Sequence, residues 1–154
     1  MEQVGLGVDI VEIERMASIL ERTPSFSRRV YSTAEQEYCN AKANPAAHYA
    51  TRFAAKEAVL KALGTGFADG IGPRDVEVGR MPSGKPYCIL HGRAKECAEK
   101  LGVTEIPLSL SYTHDEAVAC AMALTPDTAA VERSNPMEEL ARQFKSARSL
   151  LDEI

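Results

Sequence analysis

Residues 52–66, Arg-Phe-Ala-Ala-Lys-Glu-Ala-Val-Leu-Lys-Ala-Leu-Gly-Thr-Gly, constrain this chain more than any other stretch. Ala, Leu, Lys and Glu favour helix, and together they predict one long helix over 46–63. Asn44-Pro45 breaks the chain before it, and Gly64 and Gly66 supply the open or left-handed backbone that closes such a helix. With about 100° of turn per residue, Glu57, Lys61 and Gly64 share one strip, and Arg52 and Lys56 a neighbouring one. By spacing alone, the strip is either a solvated face with a Glu57–Lys61 pair worth a few tenths of a kcal/mol, or a phosphate and metal site.

Asp9 bears on that choice. It lies in Gly5-Leu6-Gly7-Val8-Asp9-Ile10-Val11-Glu12, at the end of an apolar, buried strand predicted over 4–10. An acid there is costly unless it is paired, caps a helix or binds a cation. Capping is open to it, because a helix is predicted to start a few residues later; Glu12 can serve equally as a first-turn acid. If Asp9 and Glu57 meet, two carboxylates suit magnesium, which takes one or two protein carboxylates and fills its shell with water and phosphate oxygens. Arg52, Lys56 and Lys61 would then face the remaining phosphate charge.

The other elements follow from local pattern. Ile13, Met16, Ala17 and Leu20 repeat at helical spacing over 12–20, and Thr23-Pro24-Ser25 ends that helix. A short basic turn is predicted over 26–31. Ser32-Thr33-Ala34-Glu35 is a capping-box signal opening a helix to about residue 43. Residues 67–73 read as loop. Strands are predicted over 75–81 and 86–91, joined by the hairpin turn Pro82-Ser83-Gly84-Lys85, then a helix over 92–101 stopped by Gly102, then strands over 107–113 and 116–125. This order predicts an α+β fold: an antiparallel sheet packed on one long helix and shorter ones. Residues 1–125 form the domain, 126–134 read as a linker, and 135–154 as an extra C-terminal helix. There Met137, Leu140, Phe144, Ala147, Leu151 and Ile154 repeat at spacings of three and four. Docking on the domain, self-association and a disordered tail all remain open for that seam.

Composition narrows the function classes. In 154 residues, 22 acids against 18 Lys and Arg leave a net charge of −4, with no global drive toward nucleic acid or anionic membrane. No apolar run approaches the roughly 20 residues that span a bilayer. The N-terminus lacks a basic start followed by an apolar stretch, so a cytoplasmic protein is expected. Cys39, Cys88, Cys97 and Cys120 form no Cys-x-x-Cys pair and read as reduced, packed thiols.

Ser109-Leu110-Ser111-Tyr112-Thr113-His114-Asp115 invites a Ser-His-Asp triad, but neighbours in sequence rarely form that geometry and no nucleophile elbow is present. Polar turn residues or phosphate contacts remain the readings. His48 and His91 are expected at surface or turn positions. Arg15, Arg22, Arg28 and Arg29 are interleaved with Met16, Ile19 and Phe26. That patch is either solvated charge or a landing surface for an acidic protein.

The segments 5–12, 52–58 and 61–66, with Ser109-Leu110-Ser111 and the Gly84-Lys85-Pro86 hairpin, resemble in order the holo-acyl-carrier-protein synthases, small bacterial 4′-phosphopantetheinyl transferases. The resemblance covers about residues 2–125. It implies transfer of the phosphopantetheine arm from coenzyme A to a serine of apo acyl carrier protein, with Mg2+, releasing 3′,5′-ADP. It further implies Asp9 and Glu57 as metal ligands, Glu57 or a metal-bound water as base, and Lys61 as the catalytic lysine. Arg52, Gly64, Ser109 and Thr113 would be coenzyme A contacts, and Arg15 and Arg22 the carrier-protein surface, in a homotrimer with sites between subunits. Two departures stand out. Tyr112 occupies the place where the family commonly has histidine; it can donate a hydrogen bond but carries no positive charge. Residues 126–154 extend past the family's usual length. Besides the transferase, an idle trimeric module binding nucleotide or an acidic partner, and a magnesium-dependent nucleotide hydrolase, are the other readings.

Overall fold

A computed structural model describes residues 4–67, 70–131 and 137–153. Strand β1 (Gly5–Glu12) leads into α1 (Ile13–Arg22), α2 (Ser25–Val30), α3 (Thr33–Asn40) and the long α4 (Pro45–Leu63). A hairpin of β2 (Val76–Arg80) and β3 (Pro86–Leu90), then α5 (Gly92–Leu101), β4 (Leu108–Tyr112) and β5 (Glu116–Ala123) complete the body. All strand pairs are antiparallel, in a three-stranded sheet of order β1-β5-β4 and a separate β2-β3 ribbon. The α+β expectation is met.

Sheet and helix meet through small side chains. Along β1 the odd positions Gly5, Gly7, Asp9 and Val11 face α4, opposite Ala123, Ala121, Ala119 and Ala117 of β5, all four of which are buried. The helix answers with Ala54, Ala55, Ala58 and Ala62, also buried. A Cβ built on Gly7 would lie 1.9 Å from the Ala58 carbonyl oxygen, and one on Gly5 2.1 Å from that of Ala62. Only glycine allows this approach, since contact is backbone to backbone. The even positions Leu6, Val8 and Ile10, in register with Met122, Cys120 and Val118, form an outer face where the three β1 side chains are exposed, so the strand expected to be buried is covered on one face only.

The long helix starts one residue before the expected 46–63, because Asn44 is its N-cap, accepting from Ala47 N–H at 3.3 Å, with Pro45 in the first turn. Gly64, at φ 78°, closes it in the left-handed conformation as expected. The helix from Ser32 ends at Asn40 rather than near 43. Its capping box is present: Ser32 Oγ accepts from Glu35 N–H at 3.2 Å, and Glu35 Oε1 accepts from Ser32 N–H at 2.9 Å. Within the stretch expected as linker, Pro126–Val131 forms a helix, α6; Thr128 Oγ1 accepts from Thr125 N–H at 2.8 Å at its start. Residues 132–136, including the expected helix start at Asn135-Pro136, lie outside the described residues, as does Ile154 of the seam. Met137–Asp152 forms α7, with Met137, Leu140, Phe144 and Leu151 exposed.

The strip assigned to Arg52 and Lys56 is not solvated. Lys56 is completely buried and donates from Nζ to Glu35 Oε1 at 2.9 Å, to Pro73 O at 3.1 Å and to Val76 O. Glu35 Oε2 accepts from Val78 N–H at 3.2 Å, so one ion pair joins α3, α4 and β2. Burial disfavours the charged ammonium and lowers the Lys56 pKa, while Glu35 opposes that shift. The pair is a joint of the fold, and breaking it from one side leaves an uncompensated buried charge.

Gly7→Ala should destabilise the protein by about 3 kcal/mol, since neither backbone can yield to the new methyl group. Urea unfolding checks this; a midpoint indistinguishable from wild type would contradict the β1–α4 packing described.

Candidate active site

Strand alternation delivers Asp9 to the helix-facing side of β1, and the glycines before it bring the strand against α4. There it meets Lys61, whose Nζ donates to Asp9 Oδ1 and to Val8 O, both at 3.0 Å. Lys61 is 52% exposed and Asp9 11%, so the pair is anchored on the strand and open on the lysine side. Lys61 therefore bridges helix to strand instead of pairing with Glu57 one turn earlier along its own helix.

Asp9 Oδ2 is buried and accepts no hydrogen bond. The Glu57 carboxyl stands beside the Asp9 carboxyl within hydrogen-bonding reach. Two carboxylates have no donor to offer each other unless one holds a proton. Burial first, then the hydrogen bond and charge of Asp9, push Glu57 from 4.5 up to about 7, with Lys61 pulling the other way. Asp9 Oδ2 meets no N–H or hydroxyl donor among the described residues, and Glu57 keeps a proton near neutrality instead of adding a second negative charge, so the site is short of positive charge. Lys61 supplies one cation on one side, and a hard divalent cation fits the other. Among the described residues no group of three or more His, Cys, Asp or Glu side chains is placed to hold a metal. Asp9 and Glu57 are the two residues that could hold such a cation here, and two protein carboxylates would leave room for ligand oxygens.

These acids line a groove of about 540 Å³ that also holds Arg15 and Arg22, over an apolar floor including Met16, Ile19, Phe26 and Phe53. Arg15 and Arg22 of the basic patch read from the sequence thus share one concavity with the carboxylate pair, whereas Arg28 and Arg29 do not line it. Phe53 and Glu116, which spacing did not single out, complete its wall. Phe53 follows Arg52 on α4 and packs on Phe26 with centroids 6.2 Å apart.

Arg52 is elsewhere. It is 1% exposed and lines a second groove, of about 680 Å³, between α3, α4 and the β2–β3 hairpin, where Gly84 also lies. Asp9, Glu57 and Lys61 do not line that groove. A single chain therefore does not gather all the expected site residues around one concavity. Gly64 caps α4, one turn beyond Lys61, with open space where a side chain would be. Ser109 is exposed on β4, in register with Cys120. The Thr113 hydroxyl organises the β4–β5 turn, accepting from Glu116 N–H at 3.2 Å and Asp115 N–H at 3.3 Å. His114 pairs with Asp115 at 3.0 Å and is nearly fully exposed, so it does not return to the place of Tyr112. His48, expected at the surface, is half-buried on α4 between the rings of Tyr38 and Tyr112.

The family model for the 4′-phosphopantetheinyl transferase superfamily matches residues 5–123. The holo-[acyl-carrier-protein] synthase of Nitratidesulfovibrio vulgaris is 50% identical over 117 residues, covering 75% of this chain and 94% of that protein. The crystal structure of the holo-[acyl-carrier-protein] synthase from Neisseria meningitidis superposes with a TM-score of 0.72 at 31% identity, covering 79% of this chain and 98% of that one. The Helicobacter pylori enzyme, solved in complex with coenzyme A, gives 0.69 at 28% identity over 77% of this chain and 99% of that one. In each case the shared region accounts for nearly all of the other protein, and this chain has residues beyond it. The chain belongs to the 4′-phosphopantetheinyl transferase superfamily, among its holo-acyl-carrier-protein synthases.

Proposed function

We propose that this protein transfers the 4′-phosphopantetheine arm of coenzyme A to a serine hydroxyl of an apo acyl carrier protein and releases 3′,5′-ADP. The observation that carries the reading is the Asp9–Glu57 carboxyl pair, with Lys61 beside it, in the groove shared with Arg15 and Arg22. Phosphoryl transfer needs charge neutralisation and positioning more than covalent help from the protein, and this groove offers both.

The serine oxygen forms a bond to the phosphorus carrying pantetheine as the bond from that phosphorus to the bridging oxygen breaks. The bridging oxygen leaves with 3′,5′-ADP, and the serine proton passes to Glu57. Mg2+ held by Asp9 and Glu57 would supply charge neutralisation for the pyrophosphate. Lys61 faces the charge that develops on the leaving phosphate. Its own end of the pair with Asp9 is half-exposed, so the ammonium can turn to a substrate oxygen.

Arg52, Gly64, Ser109 and Thr113 contact coenzyme A, and Arg15 and Arg22 receive the acidic carrier protein, whose opposite charge speeds encounter. Residues 1–125 are the transferase unit, and 126–134 link it to an extension over 135–154. The active form is a homotrimer with sites between subunits. Two observations support this: Leu6, Val8 and Ile10 are exposed together on the outer face of β1, and Arg52 opens into a different groove from the acids. Four free thiols and the absence, among the described residues, of a helix long and apolar enough to cross a membrane accord with a cytoplasmic setting.

Incubation with coenzyme A, Mg2+ and apo carrier protein should add the mass of one phosphopantetheine to the carrier. No mass gain across several carriers would refute the transferase; nucleotide breakdown without an acceptor would mark a hydrolase instead. Glu57→Gln should lower the rate about 10²–10⁴-fold with an unchanged melting curve, and full activity would remove Glu57 from the chemistry. Because Glu57 holds a proton up to about pH 7 in the unliganded protein, cation binding must expel it. Calorimetric Mg2+ affinity should therefore rise with pH up to about 7 and flatten above it. An affinity independent of pH between 5.5 and 7 would contradict a ligand role for this carboxyl.

A further inference from the structure

Arg52 heads the large, fully buried side chains of the described fold, and its Nε and Nη1 make no hydrogen bond. A buried guanidinium normally sits against a carboxylate. Here the two acids lining its groove are engaged elsewhere. Glu35 is held by Lys56 and by the N–H groups of Ser32 and Val78. Glu77 pairs with His91 at 3.2 Å and is held low chiefly by a hydrogen bond from Ser32.

What holds Arg52 is an aromatic face. Its Cζ lies 3.9 Å from the centroid of the Tyr38 ring. Tyr38 packs edge-on against His48, with centroids 5.8 Å apart, and His48 packs the same way on Tyr112 at 5.7 Å. Lys42 Nζ lies 4.5 Å from the same Tyr38 ring, and Arg80 lines the groove while donating to Gly84 O at 2.8 Å. Burial, then the charges of Arg52, Lys42 and Arg80, depress the His48 pKa, so the imidazole serves as a neutral ring within a positive field.

A carboxylate partner would fix Arg52 and also quench it. A π face fixes the guanidinium by attraction to the ring quadrupole and leaves its N–H donors free. We propose that Tyr38 is a positioning residue: its ring holds Arg52 as a buried, uncompensated cation whose free N–H groups receive a phosphate oxygen of the nucleotide substrate. This rests on the reading that coenzyme A is the substrate, and it gives a reason for leaving two buried donors unpaired, which otherwise only costs stability. It also gives Tyr112 a place, at the far end of the ring stack.

The test compares the full-length wild type, Tyr38→Phe and Tyr38→Leu by calorimetric titration with 3′,5′-ADP and by steady-state kinetics with coenzyme A at saturating carrier. Tyr38→Leu should weaken 3′,5′-ADP binding about tenfold and raise KM for coenzyme A to match, with kcat held, because the contact is made in ground and transition states alike. Tyr38→Phe, which keeps the π face, should match wild type. If Tyr38→Leu shows no cooperative melting, Tyr38→Met is measured in its place. Wild-type affinity in the Leu or Met variant overturns the proposal. So does equal loss in the Phe variant, or a fall in kcat with KM unchanged. A wild-type protein that neither binds 3′,5′-ADP nor transfers the arm overturns the transferase reading as well. Wild-type binding that ignores residue 38 overturns only the role of Tyr38.

Discussion

The rest of the structure depends on how closely β1 lies on α4. Gly5 and Gly7 bring the strand's backbone against the carbonyls of Ala62 and Ala58, and alanines on β5 and α4 keep the surrounding layer thin. That spacing sets the reach of Asp9. A side chain of two carbons beyond the backbone can touch a helix-borne lysine and glutamate only if the strand sits this low. The geometry concentrates negative charge at one spot: Glu57 is driven up to about 7, and Asp9 keeps a buried oxygen without a donor. Close packing and electrostatic tension are therefore one feature, and a divalent cation bound there would relieve the tension.

The helix distributes its cations among three environments. Lys56 is neutralised by Glu35 and binds three elements together. Lys61 is paired on an exposed edge, where rearrangement costs little. Arg52 is buried yet unpaired by any acid among the described residues, resting on Tyr38. The same helix thus carries a structural charge, a movable charge and a stored one. The difference lies in what the neighbouring elements present: a capping-box glutamate from α3, a strand carboxylate from β1, and an aromatic ring from α3.

Much of this was legible in the sequence. The Asn44-Pro45 start and Gly64 stop of α4, the Ser32–Glu35 capping box, the Pro82–Lys85 hairpin turn and the apolar run of β1 are local signals, decided within four or five residues. The pairing of Asp9 with α4 could be posed as a question because an acid in an apolar strand requires a partner. Burial around α4 was not legible. Alanine between the charges sets no preferred apolar face, so spacing could not show that Arg52 and Lys56 point into packed surroundings and Lys61 to an edge. The dual use of Glu35 was hidden for a related reason: its capping role is local, but its contacts with Lys56 and Val78 span 21 and 43 residues. Tyr38, likewise, gains meaning only when α3 is laid across α4.

If the β1–α4 contact builds a cation site from Asp9 and Glu57, a cation should be found there by diffraction. The measurement is anomalous diffraction from a crystal soaked with Mn2+, which shares magnesium's preference for oxygen ligands, together with 3′,5′-ADP. One strong manganese peak is expected beside the Asp9 and Glu57 carboxylates. Manganese bound elsewhere, with that position empty and the Lys61–Asp9 pair intact, would contradict it.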